Sequence, residues 1–488
     1  MTHFRFDNSY SQLPERFYQR VQPTPVQHPK LIQFNEALSN ELKMANAKLS
    51  PYDLAEFFSG NKIPEGASPI ALAYAGHQFG HFVPSLGDGR AILLGEVIDQ
   101  NNIRRDIQLK GSGPTAFSRR GDGRAALGPM IREYLISEAM FAMGIPTTRS
   151  LALVTTGETV QRDGLKPGAI LTRVAESHIR VGTFEYFAAR GDNEALNLLL
   201  KYSANRHFPY LSVSKNLPLD FLREVVKRQA NLIAQWMSVG FVHGVMNTDN
   251  MAISGETIDY GPCAFLDEYN PEAVWSSIDR NGRYAYSNQA SIALWNLHNL
   301  ASCLHPIMNV VDTAGATNAE AAANELKEVL AEFEPVFQSA WLKCMGKKIG
   351  IQNADETDRT LIEDLLKLMQ TNKADYTITF RWLANSHDSK NGLAGLEPWI
   401  TSWKQHLKNK SISTEAAALL MNAANPIYIP RNHRVELAIQ KAENENDFSE
   451  FKKLLNALQT PYSENKEFTD YSVPPSPNER VTETFCGT

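Results

Sequence analysis

GDGRAILLGEVIDQNNIRRDIQLK, residues 87–110, sets two short strands behind a glycine turn. Gly87-Asp88-Gly89-Arg90 has the composition of a tight turn, and the apolar run 91–98 reads as a strand. In 106–110 the residues alternate, so Ile107 and Leu109 share one face while Gln108 and Lys110 share the other. Glycines let backbone N–H groups come close to phosphate, and a strand lysine offers phosphate oxygens a point charge.

Working outward, Gly128-Pro129 opens a helix with an apolar stripe (Met130, Ile131, Tyr134, Leu135, Phe141), which Gly144 and Pro146 close. This helix carries Glu133 and Glu138, either of which could hold the lysine. Strands are expected at 150–155 and 169–174, and a long helix at 219–240. Beyond it, a short hairpin is expected to begin at Asn250 and end at Asp259-Tyr260-Gly261, where Asn and Asp offer hard oxygen ligands suited to Mg²⁺. The order of glycine turn, strand lysine, helix glutamate, asparagine and Asp-x-Gly is that of the protein-kinase plan.

One position departs from that plan. Kinases place an aspartate five residues before the metal-binding asparagine, but here Val245 stands five before Asn250. Valine accepts no proton, and Asp249 is the nearest carboxylate that could replace the missing base. No Walker lysine motif is present, since Gly111-Ser112-Gly113 runs into Pro114. Gly121-Asp122-Gly123-Arg124 repeats the tetrapeptide of 87–90, a second turn that could cradle phosphate. Arg173 and Arg180, with His178 between them, add cations on strand-like text. His77 and His81 have helical metal spacing, but Gly76 and Gly80 favour a loop.

The chain has 488 residues, 43% apolar and 21% charged, which excludes a disordered or disulfide-scaffold protein and predicts several sub-domains. A net charge of −6 argues against wholesale binding of nucleic acid or an anionic membrane. Cys263, Cys303, Cys344 and Cys486 have no zinc spacing and suit a reducing cytoplasm. Residues 1–20 lack the apolar region of a secretory signal, and 291–311 reads as a buried, kinked helix rather than a membrane span. A cytoplasmic location is expected. The expected layout is an arm at 1–70 with one helix near 33–47, a small β-rich lobe at 71–185 with the ATP-binding turns, and a catalytic and metal-binding part at 186–290. A helical part at 291–470 and a flexible, proline-bearing tail at 471–488 complete it.

Five strings identify a resemblance: 75–80 (AGHQFG), 87–90 (GDGR), 108–118 (QLKGSGPTAFS), 120–124 (RGDGR) and 243–250 (HGVMNTDN) closely resemble the selenoprotein O family. The resemblance is densest over 74–183 and 241–267. It implies an α+β, protein-kinase-like, two-lobed fold with a small β-rich N-lobe, a mainly helical C-lobe and a helical C-terminal extension. It implies transfer of AMP from ATP, held in an inverted orientation, to Ser, Thr or Tyr hydroxyls of proteins. Carried over by motif, ATP contacts fall at Gly87, Gly89, Arg90, Lys110, Asp122, Gly123, Arg173, Arg180 and Asp259. Asp249 becomes the proton acceptor, and Asn250 and Asp259 the ligands of Mg²⁺, with Mn²⁺ as the alternative metal. Glu133 becomes the partner of Lys110, with Glu138 second. Cys263 and Cys486 form a candidate redox pair, because relatives can carry selenocysteine at the place of Cys486. An ordinary kinase and a catalytically dead nucleotide-binding scaffold are the alternatives; Val245 and the two arginines oppose the first, and the retained lysine, glutamate and metal-ligand candidates oppose the second.

Overall fold

The computed structural model describes residues 4–44, 49–308, 318–385 and 395–484. Its strands are β1 (Tyr18–Arg20), β2 (Lys30–Phe34), β3 (Ile70–Leu72), β4 (Gly76–Gln78), β5 (His81–Val83), β6 (Ala91–Ile98) and β7 (Arg104–Lys110). β8 (Ala125–Ala126), β9 (Arg149–Arg162), β10 (Gly164–Ala175), β11 (Phe241–Val242) and β12 (Ala264–Phe265) follow. One antiparallel sheet runs in the order β1-β3-β6-β7-β10-β9-β2, with β8 added on β10. β4 with β5, and β11 with β12, form separate two-stranded ribbons.

The alternation of β7 sorts its side chains between two cores. Ile107 and Leu109 join Ile170, Val174, Leu54 and Phe58 on one face of the sheet. On the other face, Leu93, Leu153 and Leu171 pack with Met130, Ile131 and Tyr134 of the helix Leu127–Ala142. Because Gln108 pairs with Arg173 and Lys110 with Leu171, the three polar side chains emerge on this second face, under the helix. That helix is buried on nearly all sides and ends at Ala142, two residues before Gly144, whose φ is +77°.

The helical part contains Leu217–Ser238, Gln289–Leu304 and Phe333–Lys348, with the first packed along the other two. Its last helices, Asn432–Glu445 and Ser449–Leu458, return to the sheet side and clasp the helix Leu127–Ala142. Glu443 accepts from Gly128 N at 3.0 Å and pairs with Lys166 at 2.7 Å, Glu436 pairs with Arg132, and Phe451 meets Tyr134 edge-on. Among the described residues, no helix is long and apolar enough to cross a membrane.

Four expectations are corrected. The arm at 1–70 is part of the sheet, because β1 pairs with β3 and β2 with β9. The helix expected near 33–47 is, among the described residues, the end of strand β2 followed by Glu36–Glu41, since Leu31 and Gln33 find ladder partners in β9; residues 45–47 lie outside the described residues. Residues 251–258 do not pair with one another; Ala252 bridges to Arg180 and Thr257 to Thr147. The tail expected to be flexible is laid down as far as Thr484. Tyr471 is buried against Phe468, Arg480 pairs with Glu268, and Thr484 N donates to Trp275 O at 2.8 Å.

Candidate active site

Four charged groups converge where the Glu133 helix crosses β7 and β10. Lys110 Nζ lies 2.6 Å from Glu133 Oε2 and 2.5 Å from Asp259 Oδ1. Arg173 reaches the same two carboxylates, at 2.6 Å to Glu133 and 3.2 Å to Asp259. Burial alone would raise both acids, but Arg173 and Lys110 outweigh it at Glu133 and hold that carboxyl below its ordinary value. Lys110, Arg173 and Arg90 hold Asp259 well below its own, again against burial. Asp259 adopts a left-handed backbone, φ +68°, which the short polar side chain tolerates better than a branched one. Glu138 is elsewhere: it receives two hydrogen bonds from Arg149 and one from Asn35.

The short turn Thr248–Asn250 follows β11. Arg180 donates to Asp249 O at 2.9 Å and to His178 O at 3.2 Å, and its guanidinium lies 4.3 Å from the Tyr74 ring centroid. Part of its hydrogen-bonding capacity therefore fixes the turn. Burial pushes the Asp249 carboxyl up to about 7, with Arg180 pulling down and Asp259 adding to the rise. Asn250 Nδ2 donates to Val245 O at 3.0 Å. Asn250 Oδ1 and Asp249 Oδ1 are both buried without a hydrogen-bond partner. The orphaned Asn250 oxygen and the strongly ionised Asp259 are oxygen donors that suit a hard cation, and such a pair fits Mg²⁺, which takes few protein ligands and completes its shell from phosphates and water. Among the described residues no group of three His, Cys, Asp or Glu forms a closed metal site.

In the first glycine turn the N–H groups of Gly87 and Asp88 donate to Tyr74 O and Leu72 O, and that of Gly89 to Gly87 O, so these three are engaged within the fold. A Cβ on Gly87 would stand 2.2 Å from the Phe117 ring, at φ +64°; the glycine is required by this close approach. Asp88 is buried and accepts from Leu72 N and Gln108 Nε2. In the second turn Asp122 is clamped by Arg162 at 3.0 Å and caps Arg124 N, while Gly123 O accepts from Gly113 N. Arg90 faces the cluster through its field on Asp259. Cys263 is wholly buried, and Cys486 lies outside the described residues.

Sequence reasoning missed the layer above the Thr248–Asn250 turn. The β4–β5 ribbon lies over it: His77 N donates to Thr248 Oγ1 at 2.7 Å and Phe79 N to Asn247 Oδ1 at 3.0 Å. Glu185 joins the two layers, accepting from Thr248 Oγ1 at 2.5 Å and meeting His77 Nδ1 at 2.6 Å. His77 and His81 sit on opposite strands of the ribbon, His77 facing Phe82 and His81 facing Gln78, so their helical spacing has no helix to act on. The glycines of AGHQFG were the available signal, for a Cβ on Gly76 would stand 2.6 Å from Asp249 Oδ1 and 3.0 Å from Leu86 Cδ1. Gly76→Ala is therefore expected to displace the Asp249 carboxylate, lowering turnover tenfold or more while costing about 1–3 kcal/mol of stability. Initial rates and thermal denaturation of the purified variant check both numbers, and an unchanged rate would place Asp249 outside the rate-determining geometry.

Comparison with known proteins adds three findings. A family model described as protein adenylyltransferase SelO matches residues 1–459. The chain is 53% identical over 492 residues to protein nucleotidyltransferase YdiU of Agrobacterium fabrum, covering 99% of this chain and 100% of that protein. It is 52% identical to the YdiU of Rhizobium meliloti, covering 100% of both chains.

Proposed function

We propose, for a chain that belongs to the SelO family of protein adenylyltransferases and is thus an enzyme, that the Lys110–Asp259 cluster holds the triphosphate of ATP and Asp249 meets the acceptor hydroxyl. The observation that carries this reading is the convergence of two buried cations on one oxygen of Asp259, beside the orphaned oxygens of Asp249 and Asn250. The β-sheet with the Glu133 helix, followed by a helical part holding the catalytic turn, supports a kinase-like, two-lobed arrangement of these groups.

Lys110 and Arg173 are buried, each with less than a tenth of its side chain exposed, and suit the β- and γ-phosphates of an inverted nucleotide. Glu133 fixes both cations in place, and Arg90 adds charge at the same end. The α-phosphorus is then left towards the catalytic turn. A Ser, Thr or Tyr oxygen attacks it, the bond from the α-phosphorus to the bridging oxygen breaks, and pyrophosphate leaves with the electron pair. The hydroxyl proton passes to Asp249, whose raised carboxyl pKa suits an acceptor working near neutrality. Asn250 and Asp259 would hold Mg²⁺, which when bound neutralises developing phosphate charge. Positioning and charge neutralisation carry the rest of the catalysis.

Parallel reactions with α-labelled and γ-labelled ATP test the reading. Label is expected on protein from the α position only, with pyrophosphate released in equal amount. Label entering from the γ position alone would return the cluster to ordinary kinase chemistry.

A further inference from the structure

Arg283 stands beside the catalytic turn without a counter-charge. Its guanidinium carbon is 4.6 Å from the Trp295 ring centroid and 5.7 Å from that of Tyr284. The Gly80 backbone of the β4–β5 ribbon closes another side: a Cβ placed there would be 3.7 Å from the same carbon. Its Nε is buried and unpartnered, and among the described residues no carboxylate lies within ion-pair reach of it. The nearest acid in sequence, Asp279, is already engaged by the backbone N–H groups of Arg283 and Tyr284, at 2.9 and 2.8 Å. In a chain with 54 acidic residues, a guanidinium held against ring faces and left without a carboxylate is open to an anion from outside.

The position of Arg283 indicates where that anion would come from. Tyr284 Oη donates to Asn247 Oδ1 at 2.6 Å, and Phe79 N donates to the same oxygen, so the arginine is one residue from a side chain that holds the catalytic turn. At the far end of the ribbon the exposed Arg190 stacks on Tyr186 at 3.5 Å and donates to Pro84 O at 3.1 Å. Between the two arginines the ribbon shows exposed Phe82, at 40% of its surface.

We propose that this surface receives the acceptor protein, and that Arg283 selects segments with an acidic side chain close to the modified hydroxyl, Arg190 adding a second cation for a longer acidic run. The inference rests on Asp249 being the group that meets the acceptor hydroxyl. Charge complementarity identifies the occupant: an anionic segment supplies the missing partner of Arg283 while its neighbouring hydroxyl enters under the ribbon.

The test uses the full chain and two synthetic peptides that share one tyrosine, one flanked by glutamates and the other by lysines. Binding is read by fluorescence anisotropy in the presence of a non-hydrolysable ATP analogue, and transfer by label from α-labelled ATP. The wild type is expected to favour the acidic peptide by about tenfold in both readouts. Arg283→Ala should remove the preference and Arg283→Glu invert it, with nucleotide affinity unchanged in each. Equal binding of the two peptides by the wild type would overturn the proposal. So would a preference that survives Arg283→Glu, or a loss of nucleotide affinity in Arg283→Ala, which would make the arginine part of the ATP site. An acidic preference in binding with no α-label transferred would uphold the docking surface and count against the adenylyl reading alone.

Discussion

Asp259→Ala is expected to abolish measurable transfer, lowering the rate from α-labelled ATP by about a thousandfold or more, equivalent to roughly 4 kcal/mol of transition-state stabilisation. Two effects combine. One carboxylate now balances half the charge of Lys110 and Arg173, so its loss leaves two buried cations sharing Glu133 alone. The same change removes the ionised oxygen donor that would hold the metal. Calorimetry with ATP should show the divalent-dependent part of binding disappear, and the isosteric Asp259→Asn, which keeps the shape of the site, should behave alike. Transfer retained within tenfold by both variants would displace Asp259 from the metal site.

Asp249→Asn separates chemistry from binding. Turnover is expected to fall by about 10²–10⁴, the usual range for a lost general base, while ATP affinity stays within about threefold of the wild type. The structure makes this a clean substitution. The turn is fixed through the Asp249 carbonyl, which Arg180 holds at 2.9 Å, and through Thr248 and Asn247, so none of these ties involves the carboxylate. Single-turnover rates with saturating nucleotide provide the measurement. A variant that kept near-full turnover on protein acceptors would remove Asp249 from the role of base.

Lys110 was legible because strand alternation is local: two residues either side decide its face, and the structure puts it there. Asn250 and Asp259 were readable as candidates from residue type and order alone, but the segment between them was not, because Ala252 and Thr257 bridge to the distant Arg180 and Thr147. Glu133 and Glu138 could not be told apart without the resemblance, since both lie on a helix buried almost all round and only the long-range partners differ, Lys110 for one and Arg149 for the other. The glycine turn at 87–90 was legible only in part for the same reason. Its composition pointed to phosphate, while the fold contacts it also makes, through Tyr74, Leu72 and Phe117, are ones that no local pattern records. The β4–β5 ribbon gave no alternation to read, because each strand is only three residues long. Glu185 reaches His77 across 108 positions and was invisible from either end.

The clasp of the last helices on the helix that bears Glu133 orders events during synthesis. That helix ends at Ala142, and the first residue of its outer wall, Asn432, emerges about 290 residues later. At typical rates of roughly 5–20 residues per second, the interval is roughly 15–60 s. Throughout it the bonds to Gly128, Arg132 and Lys166 do not yet exist, and the face around Tyr134 lacks its cover from Phe451. The nascent chain thus carries every residue of the proposed ATP site well before it can hold them rigidly, and a ribosome that stalls ahead of codon 432 releases a product that lacks this brace.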